Sequence, residues 1–292
     1  MLSENIENIN MPDGESIKTV RFNPENQPVG VIQMLHGFGE HSSLYSELAG
    51  RFTEHNFACV IHDQRGHGEM PGLSEKQREK KLGVAKNYEY FLKDIDVIRD
   101  KIGEWYPDLP VFLYGHSMGG NIAINYLLKH SQDTYKKVIL ETPWLRLYEK
   151  QNPVVLFIAR IIGGLSYKLI YHTKLNIDSI SRDKEFTEKL KEDTQKKERL
   201  YHDSLSFRLI TQIFDAGEYA VANAKQIKLP ALLLCAGKDT IVSPDAIRKF
   251  YENSDKNIVQ FEEYSESYHA LHNDLNRAEV FNRMLAFITN GK

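Results

Sequence analysis

Short apolar runs alternate with stretches of helical periodicity along most of the chain, and this alternation predicts an α/β fold. Runs typical of buried strands occur at residues 16–22, 29–35, 57–62, 111–114, 138–140, 231–235 and 259–264. Apolar positions recur at helical spacing at residues 44–55, 88–105, 118–130, 245–251 and 279–288. Strands that alternate with helices favour a mostly parallel central sheet flanked by helices. The first two runs flank a turn-rich segment and are predicted to pair as a hairpin.

The alternation of strands and helices stops in the third quarter of the chain. Between Trp144 and Leu229 only helical patterns and charged links appear. We therefore predict a helical cap, inserted at residues 143–224 into a core formed by residues 1–142 and 225–292.

One helix of this predicted cap is unusually apolar. Asn152 and Pro153 are a typical N-cap and first helical residue, and residues 154–162 are nearly all apolar. Arg160 and the glycines that follow interrupt the run well short of the ~20 residues that a bilayer span requires. Two interpretations remain open: a helix buried against the core, or a wall for an acyl chain that also rests on a lipid surface.

A glycine-bounded serine stands between the strand at residues 111–114 and the helix that follows it. The sequence GHSMG (residues 115–119) fits the G-x-S-x-G pattern, with the required strand before it and helix after it. Such a turn strains the serine backbone, and the two glycines remove side chains that would clash there. The helix N-terminus favours developing negative charge. We interpret Ser117 as a nucleophile, and the alternative is an ordinary helix-capping serine.

Two further residues are needed before a serine hydroxyl can act as a nucleophile, a histidine that takes its proton and an acid that fixes the histidine. On a sheet of this kind the three residues follow the order serine, acid, histidine. Asp239 lies just past a predicted strand and His269 in the loop after the last strand, where the carboxyl ends of strands meet. We predict Asp239 as the acid and His269 as the general base. The alternatives are Glu141 or Asp245 as the acid and His272 as the base.

The loop after the second predicted strand offers a site for the negatively charged oxygen that forms during acyl transfer. Two backbone N–H groups are needed, and one belongs to the residue after the nucleophile, here Met118. The second belongs to the loop after an early strand, where residues 36–41 read HGFGEH. Because its glycines let this loop approach closely, we predict the N–H groups of Phe38 and Met118 as the oxyanion hole. A tight turn without a chemical role is the alternative.

The same loop imitates a dinucleotide-binding fingerprint. Gly37, Gly39 and Ser42 follow a strand, and Asp63 lies further along at roughly the position of a ribose-binding acid. The third glycine, which close helix packing requires, is missing, so a nicotinamide or flavin site is disfavoured. We interpret Asp63 and Arg65 instead as residues that hold their own loop in shape.

Composition and charge narrow the class of protein further. A formal net charge of −3 gives no electrostatic reason for nucleic-acid binding. Cys59 and Cys235 each lie in an apolar strand, which predicts reduced core thiols. His62 and His67 lack the spacing of metal ligands, so no metal is expected. Residues 1–16 are polar and acidic and lack the pattern of a secretory signal, which favours a cytoplasmic protein.

Five segments together resemble the monoacylglycerol lipase and lysophospholipase branch of the α/β-hydrolase superfamily. They are HGFGEHS (residues 36–42), DQRGHG (63–68), GHSMGG (115–120), GKDTIVSP (237–244) and YHALHND (268–274). The resemblance implies the α/β-hydrolase fold, a triad of Ser117, Asp239 and His269, and an oxyanion hole at Phe38 and Met118. It also implies hydrolysis of esters of single acyl chains without a cofactor. Gln64 departs from the family, which commonly has histidine there.

The leading hypothesis is therefore a serine carboxylic ester hydrolase that forms and hydrolyses an acyl-enzyme. A small acyl ester or monoacyl lipid is the expected substrate, and transient contact with a membrane or micelle through the cap is expected. A peptidase or thioesterase on the same fold is the alternative within hydrolysis. A non-catalytic ligand-binding module is the alternative from another class, although such a module has no use for a correctly ordered acid and base.

Overall fold

A central sheet carries the fold, and its strands form where the sequence has short apolar runs. The computed structural model describes residues 3–196 and 199–290. The strands of this part of the chain are β1 (Ser3–Asn10), β2 (Ser16–Asn23), β3 (Gly30–Leu35), β4 (Phe57–His62), β5 (Val111–His116), β6 (Val138–Glu141), β7 (Ile170–His172), β8 (Ser204–Ser206), β9 (Ala231–Ala236) and β10 (Val259–Tyr264).

The main sheet of the described residues has the strand order β1-β2-β4-β3-β5-β6-β9-β10. From β4 to β10 the neighbouring strands pair in parallel, which confirms the predicted mostly parallel sheet. The predicted opening hairpin is wrong, because β2 pairs with β1 and β4 while β3 lies between β4 and β5. β1 gives little hydrophobic signal, since it lies at the sheet edge and is mostly exposed, whereas β3 is buried throughout.

Helices cover both faces of the sheet. They are α1 (Ser46–Glu54), α2 (Glu75–Glu79), α3 (Glu89–Trp105), α4 (Met118–Lys129), α5 (Pro153–Leu165), α6 (Lys184–Gln195), α7 (Phe207–Asn223), α8 (Pro244–Asn253) and α9 (Arg277–Thr289). Apolar residues of α3, α4, α7 and α8 form one core layer with one face of the sheet, and those of α1 and α9 form a second layer with the opposite face. Successive side chains of a strand point to opposite faces, so each buried strand contributes to both layers. Cys59 and Cys235 are buried and free, which confirms the predicted core thiols.

Residues 143–224, hereafter the inserted segment, lie between β6 and β9 and contain α5, α6 and α7. The expectation of helices alone is wrong in one respect, because β7 and β8 pair as antiparallel strands. Strands of three residues are too short to show alternation in the sequence. α7 also contributes apolar side chains to the core layer that covers α4. The assignment of this segment as a separate cap stays a prediction.

Two glycines of the core lie directly under the inserted segment. Gly39 has a φ of 76°, and a Cβ there would lie 2.2 Å from the carbonyl oxygen of His202. Gly83 has a φ of 67°, and a Cβ there would lie 1.8 Å from the carbonyl oxygen of Ser204. The N–H groups of His202 and Ser206 donate to the carbonyl oxygens of Gly39 and Gly83 at 3.0 and 2.8 Å. Since a side chain fits at neither glycine, this contact is made by backbone against backbone.

The apolar helix α5 lies on the surface of the protein. Of its residues, Ala159 and Gly163 are buried. Its large exposed apolar side chains, with their exposed fractions, are Val154 64%, Val155 59%, Phe157 63%, Ile158 49%, Ile161 52% and Leu165 79%. The interpretation as a helix buried against the core is therefore wrong. No helix within residues 3–196 and 199–290 has both the length and the hydrophobicity needed to span a bilayer.

Candidate active site

Ser117 lies at the sharp turn between β5 and α4. Its φ of 52° and ψ of −115° confirm the predicted strained backbone. A Cβ at Gly119 would lie 2.2 Å from the carbonyl oxygen of Leu35, and a Cβ at Gly115 would lie 2.5 Å from the carbonyl oxygen of Gly119. The two glycines therefore allow α4 to begin in contact with β3. The Ser117 hydroxyl makes no capping hydrogen bond to α4, so it is free for another partner.

The structure brings Ser117, His269 and Asp239 into one chain of hydrogen bonds. The Ser117 hydroxyl lies 2.9 Å from Nε2 of His269, which fits donation of the Ser117 proton to that nitrogen. Nδ1 of His269 lies 2.6 Å from Oδ2 of Asp239. All three residues are buried, with exposed fractions of 4% or less. Residues far apart in the sequence thus meet at the carboxyl ends of β5, β9 and β10.

The Asp239 carboxylate is held so that one oxygen faces His269. Its Oδ1 accepts hydrogen bonds from the backbone N–H groups of Ile241 at 2.7 Å and Val242 at 3.0 Å. Burial opposes a charge on His269, but the Asp239 carboxylate outweighs burial and holds the pKa of His269 above its ordinary value of 6.5. The imidazole is therefore oriented and made more basic by the same carboxylate.

Two of the alternative residues, Glu141 and His272, pair with each other. Nδ1 of His272 lies 2.7 Å from Oε1 of Glu141, and the Tyr114 hydroxyl donates to Oε2 of Glu141 at 2.8 Å. Burial alone would raise the pKa of Glu141, but His272 lowers it to about 2, so the carboxyl stays ionised. The third alternative, Asp245, is exposed and forms a salt bridge with Arg248 at 2.6 Å.

His116, Glu141 and His272 form a buried group of the described residues that has the composition of a metal site. One ligand atom from each lies within 4.8 Å of the others. Both oxygens of Glu141, however, already accept hydrogen bonds from His272 and Tyr114. A metal would have to replace these bonds, so the ion pair accounts for the arrangement as it stands.

Sequence reasoning assigns no role to Glu40, which the structure places at the centre of a buried network. Its Oε2 accepts hydrogen bonds from the Gly37 N–H and the Tyr45 hydroxyl, both at 2.6 Å, and lies 3.3 Å from Nδ1 of His116. Burial would raise the pKa of Glu40, but His116 holds it well below its ordinary value. The network fixes the loop that carries Phe38. The sequence feature that could indicate this network is a glutamate in a glycine-rich loop, followed five residues later by a tyrosine.

Of the two predicted oxyanion-hole residues, Met118 follows Ser117 directly and Phe38 lines the same cavity as Ser117. Met118 is the first residue of α4, a position whose N–H has no partner within the helix. The Phe38 N–H donates to no carbonyl of the described residues. The Phe38 ring packs edge-on against His202 at 5.8 Å and at a tilt against Trp144 at 6.2 Å between ring centroids. Both N–H groups thus remain available to a substrate oxygen.

The loop after β4 is held by its own charged residues, as predicted. The two oxygens of Asp63 accept hydrogen bonds from the backbone N–H groups of Ser42 at 2.6 Å and Glu69 at 2.8 Å. Arg65 donates to Asp94 at 2.6 Å. This confirms the interpretation of Asp63 and Arg65 as structural residues.

A cavity of 480 Å³ opens at Ser117 and His269. Its apolar walls include Trp144, Leu147, Leu175, Ile180, Ile210 and Ile241. The volume falls in the range of roughly 300–1,000 Å³ that is usual for small-molecule sites. A hydroxyl and a base at an apolar cavity are parts that acyl transfer from a hydrocarbon-bearing ester requires.

Comparison with known proteins identifies relatives along most of the chain. The family Hydrolase_4, described as serine aminopeptidase S33, matches residues 26–276. An uncharacterized abhydrolase domain-containing protein of Dictyostelium discoideum is 27% identical over 98% of this chain, which spans 29% of the length of that protein. Phospholipase YtpA of Bacillus subtilis is 26% identical over 90% of this chain and 96% of its own.

A solved structure with the same fold is the monoacylglycerol lipase of Paleococcus ferrophilus. It superimposes with a TM-score of 0.79 and 28% sequence identity, and the match covers 92% of this chain and 96% of that chain. The fold is therefore shared with a solved enzyme over most of both chains.

Proposed function

Since the chain belongs to the Hydrolase_4 family (serine aminopeptidase, S33), we propose that it is a serine carboxylic ester hydrolase that releases a fatty acid from a monoacyl lipid. The observation that carries this proposal is the hydrogen-bonded chain from Ser117 through His269 to Asp239 at an apolar cavity. A monoacylglycerol or a lysophospholipid is the proposed substrate. The names of the Paleococcus and Bacillus relatives, a monoacylglycerol lipase and a phospholipase, support this class.

In the first half of the proposed reaction, Oγ of Ser117 attacks the acyl carbonyl carbon while Nε2 of His269 takes the hydroxyl proton. Asp239 stabilises the imidazolium that forms and keeps its Nδ1 protonated. The carbonyl oxygen gains negative charge, which the N–H groups of Phe38 and Met118 stabilise. His269 then gives its proton to the leaving alcohol, and the acyl chain stays bound to Ser117.

In the second half, water replaces the alcohol. His269 takes a proton from the water, whose oxygen attacks the acyl-enzyme carbonyl, and the collapse of the intermediate returns the proton to Ser117. The same two N–H groups stabilise this second oxyanion. The free fatty acid then leaves through the apolar cavity.

We assign the inserted segment the role of a cap that shapes the acyl-chain site. It supplies the apolar side chains of Trp144, Leu175, Ile180 and Ile210 to the cavity walls, while the core supplies Ser117 and the rest of the reacting groups. Burial of a hydrocarbon chain contributes about 0.8 kcal/mol for each CH₂ group. Chain-length preference is therefore set in the inserted segment.

A hydrolysis panel tests the proposed reaction. Purified protein is assayed against monoacylglycerols of increasing chain length, a lysophospholipid, a long-chain acyl thioester and an amino-acid anilide, each with and without detergent micelles. We expect kcat/KM to be highest for the monoacyl lipids and to rise with chain length until the cavity is full. A fluorophosphonate probe should label Ser117, as mapped by peptide mass spectrometry.

Ser117→Ala is the matched control for the panel, since it removes one oxygen and leaves the cavity intact. A preference for the anilide would instead make the chain a peptidase, in line with the family description, and would direct attention to Glu149 at the cavity as the partner of a substrate ammonium group. A folded protein without turnover and without label on Ser117 would be a ligand-binding module.

The exposed face of α5 is proposed to rest on the surface of an anionic lipid bilayer. Clusters of exposed apolar side chains mark interaction sites, and six such side chains lie on α5. Tyr148 and Tyr171 are also exposed, at 54% and 46%, and both line the cavity. The inserted segment thus also exposes aromatic side chains at the proposed acyl-chain site, where a monoacyl lipid from a bilayer would arrive.

The charge around α5 favours an anionic bilayer over a neutral one. Residues 144–176 carry the basic side chains of Arg146, Lys150, Arg160, Lys168 and Lys174 against the single acid Glu149, in a chain whose formal net charge is −3. Arg146 and Arg160 pair with acids of α7. The three lysines form no ion pair with another described residue, so their charge is available to lipid phosphates.

Sedimentation with vesicles of phosphatidylcholine, with and without phosphatidylglycerol, tests the bilayer contact. The double variant Phe157→Ser, Ile161→Ser should weaken binding by about tenfold, because two exposed apolar side chains no longer enter the interface. Ile6→Ser is the matched control, since Ile6 is 58% exposed on β1, outside the inserted segment. Equal binding by all three proteins, or no effect of the anionic lipid, would exclude this surface.

A further inference from the structure

Thr142, directly after β6, has an unusual backbone conformation. Its φ is 40°, and its side chain is fully buried. A positive φ is rare for any residue other than glycine and is a genuine outlier for a β-branched one. Such strain persists where surrounding contacts fix it, and it is concentrated at functional sites.

The strained conformation allows Thr142 to hold the loop that carries His269. The Thr142 hydroxyl donates to the carbonyl oxygen of His269 at 2.9 Å. Its backbone N–H donates to the carbonyl oxygen of Leu234 in β9 at 2.9 Å. Thr142 thus connects the end of β6 both to the neighbouring strand β9 and to the loop that carries His269.

The residues next to Thr142 hold the backbone of Ser117 on both sides. The Ser117 N–H donates to the carbonyl oxygen of Glu141 at 3.0 Å, and the Trp144 N–H donates to the carbonyl oxygen of Ser117 at 2.9 Å. Three of the four residues in 141–144 therefore bond to the backbone of Ser117 or His269: Glu141 and Trp144 to Ser117, and Thr142 to His269.

Glu141 fixes the other end of the same loop. Its Oε1 accepts the backbone N–H of His272 at 3.1 Å as well as Nδ1 of that residue at 2.7 Å. The loop between His269 and His272 is thus held at its first residue by Thr142 and at its fourth by Glu141. Hydrogen bonds to a charged carboxylate are stronger than neutral ones, so this second anchor is the firmer of the two.

We propose that Thr142 is a positioning residue whose hydroxyl sets the distance between Nε2 of His269 and Oγ of Ser117. This inference rests on the proposed hydrolase function, because the distance between His269 and Ser117 matters only if His269 takes the Ser117 proton. Ser117 and His269 come from different strands, and residues 141–144 are the described segment that bonds to the backbone of both. Without the Thr142 hydroxyl, His269 loses the contact that fixes its own carbonyl group, so its ring is held less firmly against both Ser117 and Asp239.

The test compares Thr142→Val, which keeps the branched shape and removes the hydroxyl, with Thr142→Ser, which keeps the hydroxyl. We expect Thr142→Val to lower kcat by about tenfold to a hundredfold with little change in KM, since small displacements of catalytic groups cost about this much. Thr142→Ser should stay within about threefold of the wild type. The acidic limb of the kcat/KM profile should move to lower pH in Thr142→Val, because a looser His269 interacts less with Asp239.

Thr53→Val is the control for loss of a buried hydroxyl, since the Thr53 hydroxyl donates to the carbonyl oxygen of Gly50 within α1, away from the site. It should leave the pH profile unchanged. Thr142→Ala serves if Thr142→Val does not fold. Wild-type kcat and pH profile in the folded hydroxyl-free variant would overturn the inference.

A readout without substrate separates this inference from the proposed function. The proton between His269 and Asp239 gives a low-field NMR resonance when the pair is held at short distance. We expect it in the wild type and in Thr142→Ser, and we expect it broadened or shifted upfield in Thr142→Val. If the wild type hydrolyses no ester, the proposed function fails, while an unchanged resonance in Thr142→Val refutes the positioning role by itself.

Discussion

His269→Ala is expected to lower kcat for ester hydrolysis by about 10⁶-fold, the size of effect seen when the base of a serine–histidine pair is removed. The reason is that Nε2 of His269 lies 2.9 Å from the Ser117 hydroxyl and has no substitute at that position. Turnover per folded molecule, with thermal unfolding measured in parallel, gives the result. Reaction with a fluorophosphonate should fall with kcat, since both need the same activated oxygen.

His272→Ala is the informative partner of this variant, because His272 lies three residues away and is equally buried. It pairs with Glu141 rather than with Ser117, so its loss leaves a buried carboxylate without its partner. We expect a loss of roughly 3–5 kcal/mol in the free energy of unfolding, and a much smaller effect on kcat of the folded protein. Near-normal turnover in His269→Ala together with inactive, folded His272→Ala would reverse the assignment.

Asp239→Asn is expected to lower kcat by about 10⁴-fold, by analogy with the same change in other triads. The structure supplies the reason. Oδ1 of Asp239 already accepts two backbone N–H groups, so an asparagine would keep its oxygen there and turn its NH₂ group toward His269. Nδ1 of the imidazole must then accept a hydrogen bond from that NH₂ group, so Nδ1 carries no proton and the ring proton lies on Nε2. In that tautomer His269 cannot take a proton from Ser117.

The pH dependence gives a second measurement on the same variant. The Asp239 carboxylate raises the pKa of His269 above 6.5, so replacement by a neutral amide should move the acidic limb of the residual kcat/KM to lower pH. Glu141→Gln is the matched control, since it changes the buried acid that pairs with His272. If Asp239→Asn kept near-normal activity while Glu141→Gln lost it, Glu141 would be the acid.

The local part of the site could be predicted from the sequence, because its signal is contained in a few neighbouring residues. The strand, glycine, serine and helix around Ser117 each restrict the backbone in a way that a sequence displays. Asp239 and His269 could be placed because strand ends meet at one edge of a parallel sheet. The choice between His269 and His272 depends on which ring faces Ser117, and spacing along the chain carries no information on that.

Other features have no sequence signal of their own. The apolar run in α5 has the same sequence pattern in a helix buried against the core and in a helix that faces a lipid surface. The sequence therefore does not show what covers this helix. The sequence does not indicate β1, because a mostly exposed edge strand shows little apolar alternation. The positive φ of Thr142 results from contacts with β9 and the His269 loop, which are distant in the chain.

The backbone contacts at Gly39 and Gly83 also limit where the inserted segment can be exchanged for that of a related protein. A graft that replaces residues 143–200 leaves the carbonyl groups of His202 and Ser204 in place against the two glycines. A graft that extends through β8 has to reproduce the same backbone path, whatever side chains it brings. Under the proposed function, the graft of residues 143–200 would carry Trp144, Leu175 and Ile180 of the cavity wall but not Ile210, so it would transfer chain-length preference only in part.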